Sequence, residues 1–124
     1  MSTTKRVVLA EDDPFLRRAC ETALKRRGIV VAGATDGEQA LAMIRAEPTD
    51  LVLLDLLMPK MTGIEVLRAL RADESTRDTR VLILSNSSRE LEKRDAETLG
   101  AVGYFIKANY SLQELVEKIE ALLQ

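Results

Sequence analysis

Five short apolar runs, each separated from the next by a segment with helical punctuation, constrain this chain more than any other feature of it. The runs cover residues 7–10, 29–32, 51–54, 81–84 and 102–106, and they are rich in valine, leucine and isoleucine. They are continuous rather than alternating with polar residues, the pattern of strands buried on both faces of a parallel sheet. Between them, Asp13-Pro14 reads as an N-cap followed by proline at the first helical position. Leu16, Ala19, Cys20, Ala23 and Leu24 then fall on one helical stripe, which closes at Lys25-Arg26-Arg27-Gly28 with cations and a glycine stop. Asp36 with Gln39, Thr62 with Glu65, Ser87 with Glu90 and Ser111 with Glu114 fit or approximate capping boxes. Leu112, Leu115, Val116, Ile119, Leu122 and Leu123 make the apolar face of a last helix. Strands alternating with helices imply right-handed crossovers and a doubly wound (βα)5 sheet. With no repeat, linker or low-complexity stretch, residues 1–124 read as one domain.

In an open parallel sheet, ligands bind beyond the carboxyl ends of the strands. The residues just past each apolar run therefore carry the most information about function. Glu11, Asp12 and Asp13 come after the first run, Asp55 after the third, Ser85 and Asn86 after the fourth, and Lys107 after the fifth. The second ends blandly in Gly33-Ala34-Thr35. Carboxylates, a hydroxyl and an ammonium thus converge on one sheet edge. Clustered carboxylates repel unless a cation bridges them, and oxygen ligands without histidine or thiolate favour a hard ion, Mg²⁺ before Zn²⁺. A carboxylate can attack phosphorus to give an aspartyl phosphate, with a lysine and a metal neutralising the phosphoryl charge.

Composition closes off other chemistries. The chain has no histidine, which excludes imidazole catalysis, histidine metal ligands and an intrinsic phosphohistidine. Cys20 is the only cysteine, so there is no intrachain disulfide, and a reducing cytoplasm fits. A net charge of -2 gives no electrostatic reason to expect nucleic acid or an anionic membrane as a partner. No apolar run approaches the roughly 20 residues of a membrane helix. Phe15, Tyr104, Phe105 and Tyr110 are too few for a base-stacking surface or a flavin sandwich.

With these residues in hand, the sequence resembles the receiver domains of two-component response regulators, of the single-domain chemotaxis-regulator kind. The matching pieces are Val8-Leu9-Ala10-Glu11-Asp12-Asp13, then Asp50 through Gly63 around Asp55, then Val81-Leu82-Ile83-Leu84-Ser85, then Gly103-Tyr104-Phe105-Ile106-Lys107. The resemblance implies a flavodoxin-like sheet with strand order 2-1-3-4-5. It implies that Asp55 is the phosphoacceptor, that Asp12 ligates Mg²⁺ directly and Glu11 mainly through water, and that the backbone carbonyl of Leu57 is a further ligand. Lys107 pairs with Asp55 and contacts the phosphoryl group, and Ser85 moves on activation in concert with the rotamer of Tyr104. The resemblance implies that the donor is a sensor histidine kinase or a histidine phosphotransfer protein. Output runs through the face of the fourth helix, fifth strand and fifth helix, residues 89–99 and 103–123. The expected state is a monomer or a phosphorylation-dependent dimer. The resemblance further implies a protein that catalyses only its own phosphorylation and dephosphorylation. No output domain follows the last helix, so the chain reads as a free-standing receiver or a segment cut from a longer protein, and action by protein contact or as a phosphate relay is expected.

One departure from the family pattern stands out. Lys107-Ala108-Asn109 replaces the usual Lys-Pro. A cis bond before a non-proline residue costs about 2.5–4 kcal/mol, against about 0.5–1 before proline, so a trans Lys107–Ala108 bond or a reshaped loop is expected. Leu57 and Ser87 stand two residues beyond Asp55 and Ser85; Leu57 cannot orient an attacking water, which points to slow or ordinary self-dephosphorylation. Competing readings are a phosphohydrolase, a flavin carrier and a binding module that ignores phosphate. The first lacks an acid at position 57 and a cap insertion. The second lacks a Ser/Thr/Gly-rich loop after the first strand. The third has an intact acceptor set against it. Asp13 reads as a helix cap, Cys20 as core, and 89–95 as a solvated charged face or a partner contact.

Overall fold

The computed structural model describes residues 4–86 and 89–124. The elements are β1 (Arg6–Ala10), α1 (Pro14–Arg26), β2 (Val30–Ala34), α2 (Gly37–Ala46), β3 (Leu51–Asp55), α3 (Gly63–Ala72), β4 (Val81–Ser85), α4 (Glu90–Thr98), β5 (Gly103–Ile106), a 3₁₀ turn (Lys107–Asn109) and α5 (Leu112–Leu123). All strand pairs are parallel and the order is β2-β1-β3-β4-β5. This is the expected (βα)5 architecture.

The continuous apolar runs serve two cores rather than one. Val8, Ala10, Val52, Leu54 and Ile83 face Leu41, Ile44, Val66, Leu67, Leu70 and Ala96 on one side. Val7, Leu9, Leu51, Leu53, Leu82 and Leu84 face Cys20, Leu24, Leu115, Val116, Ile119 and Leu123 on the other. Successive side chains alternate across a strand, so both parities must be apolar when helices cover both faces. This holds for β1, β3 and β4. It fails at both edges of the sheet: in β2 Val30 is 49% exposed and only Ala34 is buried, and in β5, the other edge strand, only Phe105 is buried. The expectation of burial on both faces is corrected there. Ala19, expected on the buried stripe of α1, is exposed; α1 seats itself with Cys20 and Leu24.

The punctuation signals map onto caps. Asp13 accepts from the N–H groups of Phe15 and Leu16. Thr62 with Glu65 and Ser111 with Glu114 form complete capping boxes. Asp36 accepts from Gln39 N–H, but the Gln39 amide oxygen accepts from Thr35 N–H at 2.7 Å instead of completing a box with Asp36. The expected Ser87–Glu90 box lies outside the described residues. Gly28, at φ +79°, ends α1: its N–H donates to the Lys25 carbonyl, while Ile29 N–H donates to Leu24. That is a Schellman stop needing a left-handed residue. No peptide bond among the described residues is cis, and Lys107–Asn109 forms the 3₁₀ turn, as the missing proline led one to expect.

Cys20 is 1% exposed, and burial, with the nearby Glu11 charge adding to it, pushes its thiol up to about 11. At pH 8 only about one thiol in a thousand is then thiolate even when reached, so alkylation should proceed through unfolding. Labelling of native protein at pH 8 is expected to be negligible and to accelerate in step with the urea unfolding curve; rapid labelling without denaturant would contradict this packing.

Candidate functional site

Three strand ends deliver the charged groups. Glu11 comes directly after β1, and its N–H donates to the Ala34 carbonyl at 3.0 Å. Asp55 is the last residue of β3 and Lys107 the first after β5. Although the chain reads Glu11-Asp12-Asp13, the three acids separate at once. Glu11 is buried, Asp12 is exposed, and Asp13 turns away to cap α1. Oxygens of Glu11, Asp12 and Asp55 all lie within 4.8 Å of one another.

The Lys107 ammonium sits between two of these carboxylates. Its Nζ donates to Glu11 Oε1 and, at 3.2 Å, to Asp55 Oδ2. Asp55 Oδ1 accepts from Leu57 N–H at 3.2 Å, and Glu11 Oε2 accepts from Asp13 N–H at 3.1 Å. The pairing of Lys107 with Asp55 was expected; its share in Glu11 was not legible, because nothing local in the sequence links residues 96 positions apart. Burial raises the Glu11 pKa, the neighbouring Asp55 charge adds to this, and the bond from Lys107 opposes it. Burial also acts to lower the Lys107 pKa, but Glu11 and Asp55 together outweigh it and the net shift is upward. The two directions appear opposed for one ion pair. They are compatible, because the ammonium has two carboxylates while Glu11 has only a share of one ammonium. Lys107 is therefore charged at neutral pH.

Three carboxylates and one ammonium leave a formal charge of minus two. A divalent cation with hard-oxygen preference fits that donor set, which contains no nitrogen or sulfur ligand. The β3–α3 loop shapes one wall. Leu57 turns its side chain outward, 70% exposed. Gly63 N–H closes the loop on the Leu56 carbonyl at 3.0 Å. Ser85, buried, ends β4 beside this group. Ile83 pairs with Tyr104 and Ser85 with Ile106, so Ser85 and Tyr104 share one face of the sheet, a pleat apart. Tyr104 packs on the core with Lys93 Nζ 5.8 Å from its ring centre. One further contact escaped the sequence reading: Arg17 Nη1 donates to the Glu11 carbonyl at 2.9 Å. Arg17 lies off the apolar stripe of α1, so only its spacing from Glu11 hinted at it.

The chain matches the model of the response regulator receiver domain over residues 7–120. It is 33% identical to the chemotaxis protein CheY of Pseudomonas aeruginosa over 96% of either chain. Other curated relatives are transcriptional regulators, of whose length this chain spans half or less. Among solved structures, the chemotaxis protein CheY4 of Vibrio cholerae superposes with a TM-score of 0.88 at 26% identity, covering 98% of this chain and 100% of that one. The response regulator TrrA of Thermotoga maritima, solved in complex with Mg²⁺-BeF, gives 0.82 at 29% identity, covering 97% and 100%. The acidic pocket is compatible with Mg²⁺ and with aspartyl phosphorylation.

Gly63 carries a stability test for the loop. A Cβ there would lie 2.4 Å from the backbone oxygen of Asp55 and 2.8 Å from Leu56 Cα, where no flexible side chain can yield. Gly63→Ala is expected to destabilise the fold by about 1–3 kcal/mol in urea titration, the range for overpacking; an unchanged midpoint would mean that the loop is seated differently.

Proposed function

The chain belongs to the response regulator receiver domain family of two-component systems, and from that premise we propose that residues 1–124 form one receiver domain that accepts a phosphoryl group on Asp55. Receiver domains interact with kinases or phosphotransfer proteins and with downstream effectors, bind Mg²⁺ at an acidic pocket, and are not enzymes in the ordinary sense. The observation that carries the finer reading is Lys107 held against Asp55 at 3.2 Å beside the Glu11, Asp12 and Asp55 oxygens.

In the transfer, a carboxylate oxygen of Asp55 forms the new O–P bond while the N–P bond of a phosphohistidine donor breaks. The bonding pair stays on the imidazole nitrogen. The Leu57 N–H on Oδ1 holds the Asp55 carboxylate in one orientation. Lys107 gives up its share of Asp55 and donates to a phosphoryl oxygen, remaining anchored by Glu11. The Asp12 and Asp55 carboxylates and the Leu57 carbonyl would hold Mg²⁺, with Glu11 doing so mainly through water, and the ion would supply positive charge to the phosphoryl oxygens.

The Ser85 hydroxyl then donates to the phosphoryl group, and the space it leaves is coupled to Tyr104 on the same sheet face. The signal leaves through α4, β5 and α5. α4 suits this use because it buries only Ala96 and presents Leu91, 71% exposed, to solvent. The phosphate donor is a sensor histidine kinase or histidine phosphotransfer protein. The output is protein contact, as a monomer or a phosphorylation-dependent dimer, with no direct role for nucleic acid. Among the described residues no helix is long and apolar enough to cross a membrane; we place the protein in the cytoplasm.

Incubation with acetyl phosphate and Mg²⁺ should add one base-labile phosphoryl group, seen by mass spectrometry. Asp55→Asn and EDTA should each abolish it, and Lys107→Ala should slow it roughly a hundredfold, as for loss of one charge-stabilising donor. Absence of the adduct on wild type under every condition would sink this reading. Leu57 presents only an apolar side chain at the mouth of the site. Leu57→Asn, which can hold a water, should shorten the aspartyl-phosphate half-life; an unchanged half-life would show that position 57 does not limit hydrolysis.

A further inference from the structure

Arg17 is spent on the acid turn rather than on the surface. It lies in α1, and its Nη1 reaches back to the Glu11 carbonyl at 2.9 Å. Its Nε lies 3.7 Å from Glu21 Oε1, one helical turn further on. The two side chains are only 16% and 24% exposed. They rest on Gly33 of β2. A Cβ there would come within 2.4 Å of Glu21 Oε1 and 3.3 Å of Arg17 Cδ. The glycine in the bland end of β2 is therefore the seat of this pair. Simple packing does not call for such a pair: a largely covered arginine and glutamate give no more stability than apolar residues of similar volume. α1 already packs through Leu16, Cys20 and Leu24.

We propose that Arg17 is a positioning residue for the two acids just past β1. The Glu11 carbonyl belongs to the rigid peptide unit that also contains the Asp12 nitrogen and the α-carbons of both residues. Holding that oxygen fixes the plane from which the Glu11 and Asp12 side chains spring. The Glu11 N–H is fixed from the other side by Ala34 at the end of β2. Glu11 is thus clamped at both of its backbone polar groups, by α1 and by β2. Glu21 neutralises the guanidinium and aims it, and Gly33 makes room for both. Released from this clamp, the turn is free to rotate its peptide, and the carboxylates lose their setting against Asp55. The inference rests on the reading of this acid group as a Mg²⁺ site serving Asp55. Supporting groups of this kind typically change metal affinity about 10–100-fold when removed.

The test compares the wild-type chain of residues 1–124 with Arg17→Ala, Arg17→Lys and Gly33→Ala in two measurements. The first is amide hydrogen exchange of metal-free protein. The second is Mg²⁺ affinity from NMR titration. Arg17→Ala should lose protection selectively at the Glu11 and Asp13 amides, with Leu53 in β3 unchanged, and should bind Mg²⁺ about tenfold more weakly. Arg17→Lys, a single-point donor, should recover part of both. Gly33→Ala, which keeps Arg17 but crowds its seat, should shift both in the direction of Arg17→Ala. If Arg17→Ala does not fold, the other two variants carry the same comparison. A uniform loss of protection with wild-type Mg²⁺ affinity would mean packing alone and overturns the proposal. So does wild-type behaviour of the variants when wild type binds Mg²⁺ and takes phosphate from acetyl phosphate; the function then stands without it. A wild type that does neither overturns the function itself, and this inference with it.

Discussion

The Lys107 ammonium shared between Glu11 and Asp55 is the interaction on which the end of this sheet depends. Two acids buried within a few ångströms of each other would ordinarily force one to protonate or the strand ends apart. The lysine lets β1, β3 and β5 bring charge to one place, across separations of 96 and 52 residues. The raised pKa of Glu11 shows that the compensation is incomplete, because burial and Asp55 still disfavour its charge. On the function proposed above, a cation or a phosphoryl group would change how the one ammonium is divided between Glu11 and Asp55.

The surrounding architecture separates a rigid part from a less committed one. β1, β3 and β4 are buried along nearly their whole length between two helical layers, so the residues at their ends are held by both cores. α4 is different. It buries one residue, and its last turn carries no cation of its own. Arg71 of α3 supplies one, donating through Nε to the Leu99 carbonyl at 2.7 Å and through Nη2 to Gly100 at 3.3 Å. A cation there complements the helix dipole and ties down one end. The helix is thus anchored at its carboxyl end and lightly packed along the rest.

Much of this was legible from the residues in order. The apolar runs located every strand to within two residues at either end, and Asp13, Thr62, Ser111 and Gly28 marked helix ends for local steric and hydrogen-bonding reasons. The group Glu11, Asp12, Asp55 and Lys107 was legible because parallel strands all point their carboxyl ends the same way. The errors share one cause. The exposure of β2 and of Ala19 depends on which strand lies at the edge and how a helix is rotated, and neither leaves a signal within one segment.

The sequence by itself determined that this chain alternates strand and helix, that both faces of the central strands are covered, and that acids, a hydroxyl and a lysine meet at one edge. Those features arise from periodicity, capping and handedness, which act over a few residues. Only the tertiary structure decided how the charges are apportioned. It sent Asp13 to a helix cap, gave Lys107 to Glu11 as well as Asp55, and set Arg17 over Gly33 on the Glu11 carbonyl. Hydrogen bonds and buried charges act over about 3 Å, and residues distant in sequence come that close only once the whole sheet is assembled.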